Sequence, residues 1–138
     1  MWFGTKDGLN QYDGLVFRTF QKENSSLGNN FITALHEDAE GNIWVGTDTG
    51  VYIYNPRLEK FTPFDIPIEG TGETISRTIT WIDSDPQKDV WISSDSQGLF
   101  HYDIKKNSLK EYSAKIGKGA LNITRFWFGD NELRVNRY

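Results

Sequence analysis

Few residues in this 138-residue chain could do chemistry. The densest group is Asp83-Ser84-Asp85-Pro86-Gln87-Lys88-Asp89, where oxygens at alternate positions would suit a hard cation such as calcium. A helix-loop-helix calcium site opening at Asp83 needs Gly at its sixth position and Glu at its twelfth. The chain supplies Lys88 and Ser94 there, so a turn is expected instead, with Asp and Pro serving the backbone. His36 and His101 are the only histidines, and neither has a second ligand at metal-binding spacing. There is no Cys, which removes thiol catalysis, thiolate metal sites and disulfides. A serine nucleophile lacks the Gly-x-Ser-x-Gly elbow. No catalytic constellation, metal or cofactor is therefore expected.

The remaining candidates are aromatic and basic, and their meaning depends on an internal repeat. Trp2-Phe3-Gly4-Thr5, Trp44-Val45-Gly46-Thr47 and Trp91-Ile92-Ser93-Ser94 share one pattern, at spacings of 42 and 47 residues. After each Trp comes a Gly (Gly8, Gly50, Gly98) and, four residues later, a Tyr (Tyr12, Tyr54, Tyr102). Large apolar pairs three apart follow: Phe17 and Phe20, Phe61 and Phe64, Leu109 and Tyr112. Upstream, Ile32-Thr33-Ala34-Leu35 aligns without a gap with Ile79-Thr80-Trp81-Ile82, which also aligns His36 with Asp83 and predicts an ordinary exposed or half-exposed histidine. A third copy, Ile123-Thr124-Arg125-Phe126, leads to Leu133-Arg134-Val135, where Arg134 stands in place of the Trp.

Each unit thus holds four short segments rich in β-branched and aromatic residues, parted by turn signals such as Glu40-Gly41-Asn42 and Asn55-Pro56. No window carries apolar residues at helical spacing over ten or more positions. Four strands every 42 to 47 residues is the period of a propeller blade. The fold expected is all-β, an incomplete β-propeller of about three four-stranded antiparallel blades. It forms a single unit over residues 1–138, with repeats near 1–30, 31–66, 74–114 and a partial one at 121–138. Central strands are expected near 31–37, 42–47, 51–55 and 60–64. Gly50 and Gly98 should take positive φ ahead of the third strand.

The run from Ile32 to Asn55, and most specifically Asp38 to Thr47 (Asp-x-x-Gly-Asn-Ile-Trp-Val-Gly-Thr), closely resembles the two-component-regulator propeller repeat. The resemblance implies seven-bladed periplasmic propellers, followed by an immunoglobulin-like domain, one membrane helix, a histidine kinase and a response regulator. Proteins of that kind sense oligosaccharides derived from glycans. By resemblance the chain is a non-catalytic, ligand-sensing propeller fragment of a periplasmic hybrid two-component sensor, although it shows no signal peptide and no kinase. The alternatives are a protein-interaction scaffold and a fragment of a propeller glycan lyase or hydrolase.

On such a scaffold the repeated Trp2, Trp44 and Trp91 belong to blade packing, and function should lie where the units differ. The third position of the first strand is Ala34, then Trp81, then Arg125, with Arg77 and Trp127 nearby. Aromatic faces suit pyranose C–H groups, and Arg offers planar donors to hydroxyls or a uronate. Arg77, Trp81, Arg125 and Trp127 are therefore the candidate oligosaccharide contacts, with Trp81 as gap filling near the axis the other reading. Lys plus Arg total 15 against 19 Asp plus Glu, a net charge of −4, so nucleic acid is not an expected partner. No apolar stretch approaches the roughly 20 residues of a membrane span. Three blades leave two end faces without neighbours, so self-association through those faces is expected.

Overall fold

The computed structural model describes residues 1–112 and, further on, the backbone of a short strand at Arg134–Val135. Its strands are β1 (Trp2–Thr5), β2 (Gly8–Tyr12), β3 (Phe17–Phe20), β4 (Ile32–Glu37), β5 (Ile43–Thr47), β6 (Gly50–Asn55), β7 (Lys60–Pro63), β8 (Ile79–Ser84), β9 (Val90–Ser94), β10 (Gly98–Asp103), β11 (Ser108–Glu111) and β12 (Arg134–Val135). They form three four-stranded antiparallel sheets in the orders β12-β1-β2-β3, β4-β5-β6-β7 and β8-β9-β10-β11. The all-β expectation holds, and the four central strands lie where the sequence places them. The three sheets do not close into a ring.

Each sheet is a meander because its turns are short and chemically specified. Gly50 and Gly98 precede the third strand with φ of 125° and 118°, a region that side chains with a Cβ avoid. The Thr47 hydroxyl donates to the Gly50 carbonyl at 2.9 Å across the same turn, and Thr5 does so to Gly8 at 3.2 Å. Strands β4 and β8 carry a bulge at the same place, between Ile32 and Ala34 and between Ile79 and Trp81. A bulge there leaves Thr33 and Thr80 out of register with the partner strand.

The sheets stack face to face, so both faces of the central sheet are apolar. One core joins the first sheet to the second through Trp2, Leu9, Phe20, Ile32, Val45 and Tyr54. The other joins the second to the third through Trp44, Phe64, Ile79, Ile82, Ile92 and Phe100. Close approach is possible because Gly4 and Gly46 have no side chain. A Cβ on Gly4 would lie 2.2 Å from Ile32 Cγ2, and one on Gly46 would lie 2.6 Å from Ile79 Cγ2. At the third equivalent position stands Ser93, whose hydroxyl accepts from Thr80 Oγ1 at 2.9 Å.

The C-terminal strand departs from the sequence expectation. Arg134 was expected at the Trp position of a fourth unit. It instead pairs with Phe3, and Val135 with Trp2, making β12 the inner strand of the first sheet. Strand β1 thus pairs on one side with β2 and on the other with β12. The segment Ile123-Thr124-Arg125-Phe126 lies outside the described residues.

Candidate functional site

The linker between β7 and β8 is pinned from two sides, and this pinning shapes a cavity. Its first half runs beside the outer strand of the third sheet: Glu69 N donates to Leu109 O at 2.9 Å, while Ile68 and Ile75 are buried. Its second half is held by Gln97 in the turn between β9 and β10. Gln97 Oε1 accepts from the backbone N–H of Ser76 at 2.9 Å and of Arg77 at 3.0 Å. Its Nε2 donates to Thr74 O at 3.3 Å. Between linker and turn is a solvent-open cavity of about 590 Å³, lined by Glu73, Thr74, Ser76, Arg77, Ser96 and Gln97. Hydroxyls, one carboxylate and one guanidinium make it a polar surface suited to a hydroxyl-rich or anionic ligand.

At the far ends of the inner strands, residues in register with one another meet across the sheet interface. His36 Nε2 lies 2.6 Å from Ser84 Oγ, and its Nδ1 is 3.5 Å from Asp83 Oδ1. Burial lowers the His36 pKa, and outweighs the opposing pull of the Asp83 and Asp38 carboxylates. Burial likewise raises that of Asp83, against the Ser84 N–H bond and His36. The imidazole is therefore neutral at neutral pH, and its contact with Asp83 is not an ion pair there. Serine, histidine and aspartate stand in the order of a nucleophile, a base and an orienting acid. The Ser84 N–H, however, donates to Asp83 Oδ1 at 2.8 Å, so it is not free to stabilise an oxyanion.

The Asp83–Asp89 segment is the β8–β9 turn. Asp85 Oδ1 accepts from Gln87 N at 2.9 Å and Asp89 N at 3.0 Å, while Oδ2 accepts from Trp91 Nε1 at 2.9 Å. Asp38 repeats this with Glu40, Asn42 and Trp44. The sequence signal for this brace, an Asp six residues before the Trp, is present in both complete units and was not read as such. Around Asp85 the third sheet also brings Asp89 and His101 together, so that one ligand atom from each of the three lies within 4.8 Å of the others. His101 Nε2 is 2.9 Å from Asp89 Oδ2, and the imidazole stacks on Trp91. These three are the described residues best placed for a metal ion, although Asp85 Oδ2 is already engaged by Trp91.

Of the sequence candidates, Arg77 is exposed on the cavity wall. Trp81 is 3% exposed in β8 and does not line that cavity. Arg125 and Trp127 lie outside the described residues. Gln97, which organises the cavity, carried no sequence signal, because its role exists only once the linker folds back onto the turn.

Stacked four-stranded meanders with inner strands side by side define an incomplete β-propeller. Residues 26–49 match the sequence profile of the two-component regulator propeller. Among solved structures, the chain resembles the extracellular domain described as that of hybrid two-component system BT3049 from B. thetaiotaomicron. The identity is 27% over 82% of this chain and 17% of that one, with a TM-score of 0.69. It also resembles the extracellular domain of BT4673 from the same organism, described as a one-component system in one structure and a hybrid two-component system in another. Here identity is 25% over 80% of this chain and 15% of that one, with a TM-score of 0.67. The chain thus spans 15% to 17% of the length of these structures. No curated protein matches the sequence. Among the described residues, no helix is long and apolar enough to cross a membrane.

Proposed function

We propose that this chain forms part of the extracytoplasmic, ligand-sensing propeller of a two-component sensor. The observation that carries this reading is the regulator-propeller match at residues 26–49, within a fold similar to extracellular domains of such systems. Its role is binding, without catalysis, and the location that goes with it is the periplasm. The ligand we assign is an oligosaccharide derived from a glycan, taken at the polar cavity with Arg77 as donor to hydroxyls or a uronate. Trp81, buried in β8, shapes the inner wall of the sheet stack.

A ligand that prefers the folded chain must stabilise it. At about a hundredfold excess over its dissociation constant the gain is about 2.7 kcal/mol, a melting rise on the order of 5–10 °C for a domain of this size. Thermal melting against a panel of neutral and uronate-containing oligosaccharides should show such a rise for one class. Arg77→Ala should remove it while leaving the ligand-free melting temperature within a degree or two. A panel without effect would leave the protein-interaction scaffold as the better reading, and release of reducing ends would turn it into a glycan-cleaving enzyme.

A further inference from the structure

The second and third sheets carry the same brace at the same turn, and the third adds to it. In both, an Asp six residues before the Trp takes two backbone N–H groups on Oδ1 and the indole N–H on Oδ2: Asp38 for Trp44 and Asp85 for Trp91. Two positions around that brace differ. Where the second sheet has Asn42, the third has Asp89. On the neighbouring strand Ile53 stands opposite Trp44, whereas His101 stands opposite Trp91. The first sheet has Gln11 opposite Trp2. One scaffold thus carries an apolar or amide side chain in two units and an imidazole beside two carboxylates in the third.

All three side chains are half-buried and aimed at one point by bonds of their own. Asp89 Oδ1 accepts from Ile104 N at 3.3 Å, which leaves Oδ2 turned to His101 Nε2 at 2.9 Å. Asp85 Oδ2 is 4.0 Å from the same nitrogen. The imidazole lies along the Trp91 ring, 4.6 Å between centroids at an interplanar angle of 25°. A carboxylate oxygen has two lone pairs, so the indole N–H on Asp85 Oδ2 leaves the second one for a ligand. That N–H also fixes where the oxygen points, the outer support that metal-binding carboxylates need. Donors on a tetrahedral zinc lie about 3.3–3.6 Å from one another. The separations of 2.9 and 4.0 Å straddle that value, so side-chain shifts of about half an ångström bring the set to it.

We infer that Asp85 Oδ2, Asp89 Oδ2 and His101 Nε2 bind a divalent first-row transition ion of zinc's class. One imidazole nitrogen with two carboxylate oxygens suits such an ion, whereas calcium and magnesium take shells of oxygen. With the ion bound, Nε2 carries the metal, the ring hydrogen sits on Nδ1, and water completes the coordination shell. The ion ties the β8–β9 turn to β10 and so clamps the third sheet at its end remote from the Gln97 turn. All three donors belong to this one sheet, and none is contributed by a neighbouring blade. The site is separate from the Arg77 cavity and independent of any oligosaccharide taken there.

Calorimetric titration of the untagged, chelator-treated chain with zinc chloride should show a single class of site, one ion per chain, and zinc should raise the melting temperature. His101→Ile and Asp89→Asn give the third sheet the residues of the second, so both variants should fold. Each should weaken zinc binding by more than about tenfold, the smallest loss that removal of even a supporting partner brings. His36→Gln removes the other histidine and should leave the zinc affinity unchanged. Calcium and magnesium chloride at the same concentrations should give neither binding heat nor a rise in melting temperature. No zinc binding, an unchanged zinc affinity in either third-sheet variant, its loss in His36→Gln, or calcium binding as tight as that of zinc would each overturn the inference.

Discussion

Single side chains in this protein do their work across sheet boundaries, and His36 is the clearest case. It contacts Ser84 and Asp83 from the neighbouring sheet, and burial holds its pKa below the ordinary 6.5. The unfolded chain therefore takes up a proton first as pH falls, so stability declines below about pH 6.5. Asp83 acts in the opposite sense: its raised pKa makes the fold the better proton acceptor above 3.8, which offsets part of the loss only at lower pH. Denaturant titrations at pH 7.5 and 5.5 should show the wild type losing more stability over that interval than His36→Gln, which keeps an amide donor toward Ser84. Equal losses in both would mean that His36 is not the group responsible. The sequence had aligned His36 with Asp83 as equivalent positions. It held no sign that equivalent positions on adjacent inner strands would touch.

Strands and turns were the most legible part of the molecule, because their signals are local. Alternation, Gly at a positive-φ turn and Asn/Pro punctuation all act within a few residues, and β4 to β7 lie where those signals put them. The small residue after each Trp pair was visible too, but its reason was not. Gly46 is required because Ile79 of the next sheet presses on it. Gly46→Ala places a Cβ within 2.6 Å of Ile79 Cγ2 and 3.0 Å of the Ala34 Cβ. Such overpacking should cost about 1–3 kcal/mol, read as a lower urea midpoint at unchanged slope. The bulged Thr33 shows the same dependence on a distant partner. Its hydroxyl is buried without a hydrogen-bond partner, and Gly46 lacks the hydroxyl with which Ser93 accepts from Thr80.

Across the whole molecule, the central sheet is covered on both faces and the outer sheets mainly on one. All five residues of β5 are buried, whereas three of four in β3 are exposed. Amide exchange should accordingly be slowest in Ile43–Thr47 and among the fastest strand signals in Phe17–Phe20, measurable by mass spectrometry at neutral pH. Uniform protection across the three sheets would contradict a stack stabilised by its centre. The sequence by itself determined the class: a 42 to 47 residue period of four short strands admits little but propeller blades, because side-chain alternation and turn chemistry are short-range. Only the tertiary structure decided what those blades bring together. The fold of the β7–β8 linker onto Gln97 makes the cavity around Arg77, and the stacking of β8 puts Trp81 inside. Strand β12 pairs with β1, far from it in the chain. Each of these joins residues far apart in the chain, and the free energy that joins them is set by burial and edge pairing, which have no local sequence signature.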